Sequence, residues 1–152
     1  MINLYIDTNS VTKMLNSDAS RVIEPPVFQV ESYQTYACHF VTVSGTTLTP
    51  VDVTDCLSWT FAIDKDFSHS TSPMTDTIVV DDTDADTGVI LFTVDCDTAS
   101  FENALGSNEK LTTTRFQIRG YDNATPASGR PIRSHILTCI CYNAITLTTP
   151  TT

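Results

Sequence analysis

Hydrophobic and polar positions alternate along most of this chain with a period of two, the signature of extended segments that bury one face. Ile2, Leu4 and Ile6 open the pattern and predict a short strand. The alternation then stops. Residues 8–26 read as a polar connector with one helical turn expected at residues 11–15, closed by the stiff pair Pro25-Pro26. Connections this long without structure of their own are uncommon inside compact domains and tend to serve binding. Residues 1–26 are therefore expected to form a strand and an arm.

From Val27 onward the strand signals recur, with turn residues between them. Phe28 and Val30 begin one alternation that Tyr36, Cys38 and Phe40 continue, with Ala37, Val41 and Val43 on the opposite face, and Ser44-Gly45 ends it. The strongest strand is the run 57–63, where Leu57, Trp59, Phe61 and Ile63 share a face that is expected to be core. Residues 65–77, with Ser68-His69-Ser70-Thr71-Ser72-Pro73, read as an exposed loop. Strands at 78–80 and 89–94 are joined by Asp81-Asp82-Thr83-Asp84-Ala85-Asp86-Thr87-Gly88, which predicts a hairpin.

One segment has helical character. Asp97 or Thr98 serves as N-cap, Phe101 and Leu105 lie four apart, and Gly106 follows as C-cap. Beyond it Phe116 and Ile118 point inward while Arg115, Gln117 and Arg119 point out, and a turn-rich stretch at 122–131 leads to a closing strand at 132–147. That strand is apolar on both sides, with Ile136, Ile140 and Tyr142 on one and Leu137, Cys139 and Cys141 on the other. Either the helix covers the second side or another subunit does. The fold class expected is all-β, an antiparallel β-sandwich of immunoglobulin-like or jelly-roll-like type with one short helix and an extended N-terminal arm. Residues 1–26 form the strand and arm, 27–147 the sandwich, and 148–152 a Thr-rich tail.

Composition sharpens this picture. Threonine is abundant, clustering at Thr46-Thr47, Thr112 to Thr114 and the last residues, and a β-branched side chain suits a pleated surface better than a helix. With 152 residues the chain is long enough for one core and too short for two ordinary domains. Eighteen acidic against eight basic side chains leave a formal charge of -10, which repels a phosphate backbone, so nucleic acid is excluded as partner. Arg115, Arg119, Arg130 and Arg133 lie close in sequence, but on strands they are expected to neutralise neighbouring acids. No stretch approaches the ~20 apolar residues that span a bilayer, so no membrane insertion is expected. The N-terminus lacks the basic start of a standard export signal.

Candidate chemistry is sparse. Cys38, Cys56, Cys96, Cys139 and Cys141 lack the paired spacing of a zinc site and read as buried free thiols of a reducing compartment, in which the sequon Asn123-Ala124-Thr125 has no role. The acidic string at 82–88 offers alternate carboxylates to calcium. It departs from an EF-hand loop, because glycine falls at the seventh position, Thr93 stands at the twelfth and no helices flank it. A plain turn accounts for the same residues. His39 and His135 fall on strands as structural histidines; His69 sits among serines near Asp66 with no nucleophile elbow nearby. Trp59 and five tyrosines raise sugar stacking, yet Trp59 belongs to the core-facing alternation. No catalytic, cofactor-binding or metal-binding residue is assigned, and no cofactor is expected.

The run 57–145, with Leu-Ser-Trp-Thr-Phe-Ala-Ile, Asp-Thr-Gly-Val-Ile-Leu-Phe-Thr-Val-Asp, a short helix ending in Leu-Gly, and Phe-Gln-Ile, resembles the β-sandwich modules of tailed-bacteriophage structural proteins. The N-terminal domain of upper baseplate proteins is the nearest family. The resemblance implies a non-enzymatic virion component of tail, baseplate or head appendage, assembled in the host bacterial cytoplasm. It further implies a homo-oligomer in contact with other virion proteins, often in trimers or larger rings. A carbohydrate-binding or adhesin module, recognising a host surface glycan, is the alternative, and a small hydrolase comes third.

Overall fold

The computed structural model describes residues 2–10, 14–15, 26–30, 33–64, 78–112 and 114–143. Within them twelve strands and one α-helix follow in the order β1 (Ile2–Asp7), β2 (Met14–Leu15), β3 (Val27–Gln29), β4 (Tyr33–Ser44), β5 (Thr47–Pro50), β6 (Ser58–Asp64), β7 (Ile78–Asp81), β8 (Val89–Asp95), α1 (Ala99–Leu105), β9 (Lys110–Leu111), β10 (Arg115–Tyr121), β11 (Pro131–Thr138) and β12 (Ile140–Tyr142). The chain is an all-β sandwich. A larger sheet in the order β2-β1-β4-β8-β7, with β5 also on β4, packs against β11-β10-β6, and a small sheet β3-β12-β9 closes one end.

The core is the set of side chains that the alternation turns inward. Phe40 and Phe92 of the larger sheet meet Trp59 and Phe61 of the smaller one, with ring centroids 5.1 Å apart for Phe40–Trp59 and for Phe61–Phe92. Phe28 bridges to the end sheet, 5.1 Å from Tyr36 and 5.9 Å from Phe116. Trp59, Phe61, Ile63, Phe116 and Ile118 are all buried, as their spacing predicts. Burying rings of this size supplies most of what stabilises a sandwich of this length.

Strand β4 organises the larger sheet. Its edge opposite β1 pairs first with β8 and then with β5, and the handover occurs at Phe40, whose N–H donates to Gly88 O at 2.8 Å while its O accepts from Val51 N at 2.9 Å. Gly88 has φ +80, and a Cβ there would stand 2.6 Å from Val51 O and 2.8 Å from Phe40 O. Glycine is demanded twice, by the left-handed backbone and by the closeness of two carbonyls.

Helix α1 matches its sequence signature. The Thr98 hydroxyl accepts from Phe101 N at 3.2 Å, Gly106 has φ +56, and Phe101 and Leu105 are fully buried. The hairpin β7–β8 also forms, closed by a 3-10 turn at Ala85–Thr87.

Several expectations change. Met14–Leu15 is a strand paired with β1 through Tyr5↔Leu15 and Ile6↔Met14, so no helical turn includes those two residues. The alternation from Phe28 to Val43 divides into two strands in different sheets, β3 beside β12 and β4 in the larger sheet. Leu57 lies outside β6 and is 56% exposed, because β6 begins at the next residue and the core-facing set starts at Trp59. The closing strand breaks at Cys139, where the chain leaves β10 for β3 and β9. There the Thr114 hydroxyl donates to Cys139 O at 2.7 Å and Cys139 N donates to Thr114 O at 3.1 Å, satisfying backbone groups that the crossing would leave bare. Two pairings, β1 with β4 and β12 with β3, are parallel; the others are antiparallel. The loop at 65–77 with His69, most of the expected arm and the tail at 148–152 lie outside the described residues.

Candidate interaction surface

Because side chains alternate across a strand, each core face implies an outer face, and the register fixes what that outer face carries. On the larger sheet three rows cross the strands: Tyr5–His39–Val89, Asn3–Ala37–Leu91–Asp81 and Thr35–Thr93–Val79. A solvated antiparallel face usually reads polar. Here apolar and polar side chains share the rows about equally, and no Lys or Arg occupies an outward position among the described residues of β1, β4, β5, β7 and β8. Val79 is 62% exposed and Tyr33 68%. Asp81 and Asp95 supply negative charge toward opposite ends of β8.

Local contacts join neighbouring strands on this face. Tyr5 stacks on His39 with centroids 4.6 Å apart and an interplanar angle of 15°, and His39 Nε2 donates to Asn3 Oδ1 at 3.0 Å. Thr35 and Thr93 hydroxyls bond each other at 3.0 Å across the β4–β8 pair. Partial burial lowers the His39 pKa, so the ring is neutral at neutral pH.

The outer face of β6-β10-β11 is different. Gln117 Nε2 donates to Ser134 Oγ at 3.2 Å and the Thr60 hydroxyl to Tyr121 Oη at 3.2 Å, with Ala62 and Ile136 between them. Of the four clustered arginines, Arg133 makes two bonds of 3.1 Å to Asp55 and Arg130 pairs with Asp122 at 3.1 Å, as neutralising partners should. Arg115 is half-buried in register with Asp64 and donates to Thr114 O. Arg119 is exposed and has no partner among the described residues.

A groove of about 250 Å³ lies between Thr8–Ser10 and Ile132–His135. His135 at its floor is only 4% exposed, packs 5.7 Å from Phe40 and donates from Nδ1 to Ser10 O at 3.1 Å. That bond pins the turn after β1 to strand β11. Desolvation by burial lowers the pKa of His135, with Arg133 adding to the effect and Ser10 and Asp7 opposing it.

The acidic residues mostly build turns. Asp81 Oδ1 accepts from Thr83 N at 3.0 Å and from its hydroxyl at 2.6 Å; Asp52 does the same for Thr54, at 2.9 and 2.6 Å. These hydrogen bonds, led by the Thr hydroxyl, hold both carboxyls below the usual carboxylate range. Asp7 and Asp95 likewise accept from the backbone two residues on. Among the described residues no three His, Cys, Asp or Glu side chains stand where they could hold a metal ion. The five cysteines are free and buried. Burial pushes the Cys56 thiol up to about 12 and those of Cys38 and Cys139 higher still, which keeps them protonated and unreactive.

Trp59 is not available to a sugar. It lies in the core against Phe40 and Phe92, and its Nε1 finds no hydrogen-bond partner among the described residues. Sequence reading missed the apolar side chains on the outer face of the larger sheet, although Ala37, Val41 and Val43 already signalled one half of them.

No family model and no curated protein matches the chain. Among solved structures it is similar to the N-terminal domain of phage TP901-1 ORF48, at 11% sequence identity and a TM-score of 0.46, over 95% of this chain and 98% of that one.

Proposed function

We propose that the chain is a non-enzymatic virion structural protein of a tailed phage, placed in the tail, baseplate or a head appendage, and that it acts through contacts with copies of itself and with other virion proteins. Assembly takes place in the host bacterial cytoplasm, in keeping with free, buried thiols. The residues quoted from 57–145 support the phage placement, and one structural observation carries the contact role: the outer face of the larger sheet presents Val79 and Tyr33 to solvent, 62% and 68% exposed, with no Lys or Arg at a described position of its strands. Exposed apolar side chains on such a face mark an interaction site. Residues 1–26 are read as a strand that completes the sheet followed by an arm for neighbours, with the sandwich at 27–147 and a tail at 148–152. The test is proteomics of purified tailed particles from the source culture together with an amber allele of the gene. The chain is expected in the particles, and the allele is expected to stop their completion; intact infectious particles without the chain would refute the reading.

The second reading, a module for a host surface glycan, is favoured by Tyr33, an aromatic ring 68% exposed on the same face. A glycan array run with and without chelator separates it from the first.

A further inference from the structure

We infer that the outer face of the larger sheet docks a second copy of this chain through the opposite outer face of the sandwich, that of β6-β10-β11, in a head-to-tail contact. The inference rests on the self-association in the reading above, not on the phage placement.

Charge selects the pairing. At a net charge of -10 two copies repel, so they meet only where local potentials are opposite. Four of the five described cations, Arg115, Arg119, Arg130 and Arg133, lie on the β10–β11 hairpin, and Arg119 points outward without a partner among the described residues. The larger sheet's outer face carries Asp81 and Asp95 and no cation at a described outward position. A symmetric contact of that face with itself would bring two sets of carboxylates together with no described cation between them. A symmetric contact of the other face would leave Arg115 and Arg119 of each copy to share one described outward carboxylate, Asp64. The mixed contact brings Asp81 and Asp95 opposite Arg119.

Spacing agrees with this. Asp81 lies level with Leu91, four positions along β8 from Asp95, and Arg115 lies four positions along β10 from Arg119. Four steps at the rise of an extended chain are roughly 13 Å in both cases. Asp64 stands in register with Arg115, and Arg119, fully outward and exposed, is the leading cation. Val79, Tyr33 and Leu91 supply the apolar centre on one side, and Ile136 and Ala62 on the other. A contact between two different faces of one chain does not satisfy itself in a dimer; it continues into a ring or a filament.

The experiment uses the full chain and two variants with exposed substitutions, Arg119→Glu on one face and Val79→Lys on the other, each checked by circular dichroism for an unchanged fold. Light scattering of the wild type is expected to show concentration-dependent association that weakens with added salt. Each variant alone is expected to associate about tenfold more weakly or not at all. An equimolar mixture is expected to form capped 1:1 dimers, because each variant retains the face its partner has lost. A strictly monomeric wild type refutes self-association itself. A wild type that associates while Arg119→Glu or Val79→Lys behaves like it, or a mixture that stays monomeric, refutes this pair of faces and leaves self-association standing.

Discussion

Replacing Gly88 with alanine tests whether the junction over Phe40 is as tight as the structure makes it. The added Cβ would lie 2.6 Å from Val51 O, 2.8 Å from Phe40 O and 3.2 Å from Val51 N, all backbone atoms that cannot rotate away. Phe40 O accepts from Val51 N, and Gly88 O accepts from Phe40 N, so relief by movement disturbs the bonds that hand β4 from β8 to β5. A left-handed backbone costs a non-glycine residue about 1–2 kcal/mol, and forcing a methyl into filled space adds about 1–3 kcal/mol. The sum, about 2–5 kcal/mol, corresponds to a drop in Tm of about 5–15 °C for a chain of this size. Gly45 is the internal control: its φ is +61, but nothing lies within 4 Å of a Cβ built there. Gly45→Ala should therefore lose only the conformational part, about 1–2 kcal/mol. Thermal unfolding followed by circular dichroism measures both. If the two variants melt within about 2 °C of each other, the crowding at Gly88 contributes nothing and the reasoning is wrong.

Three further outcomes follow from the same structure. Trp59→Ala should cost about 3–5 kcal/mol in urea unfolding, whereas Trp59→Phe, which removes the unpartnered Nε1–H, should cost under about 1.5 kcal/mol; equal losses would mean that the indole nitrogen is satisfied after all. His135 has its pKa lowered by burial, so below its unfolded value of 6.5 the unfolded chain takes up a proton that the native ring refuses. Stability should fall as pH drops through that value and level off below the folded pKa. His135→Asn, whose amide can replace the Nδ1–H bond to Ser10, should flatten the urea midpoint over that range down to the contribution left by His39, and an unchanged slope would refute the assignment. Thr98→Ala removes the cap on Phe101 N and should destabilise by about 1 kcal/mol, while Thr98→Ser should retain most of the stability.

Much of the architecture could be read from order along the chain. Trp59, Phe61 and Ile63 alternate because a β-strand presents every second residue to one side, and the structure buries all three. The cap residues Thr98 and Gly106 and the pair Phe101 and Leu105 located the helix, since both signals act within a few residues of each other. The β7–β8 hairpin was legible for the same reason. The candidate interface was half legible: the opposite-side residues Ala37, Val41 and Val43 showed that β4 is apolar on both faces, but not that Val89, Leu91 and Val79 lie beside them. That depends on register between strands distant in sequence, as Thr35 and Thr93 are, 58 residues apart.

Sequence by itself determined what is local: the period of two, the turns built by Asp52, Asp81 and Asp95 on their own backbone, the helix caps, and a charge balance that turns phosphate away. Tertiary structure alone decided which strand lies beside which, and with it three things no periodicity contains. β1 enters the sheet parallel to β4, the closing strand changes sheets at Cys139 with Thr114 satisfying the bared backbone, and the inward-tending Leu57 is left in solvent. The physical reason is one of range. Alternation and capping are energies of neighbours in sequence, whereas pairing and layer contact are chosen by burial and hydrogen bonding between segments that meet only when the whole core closes.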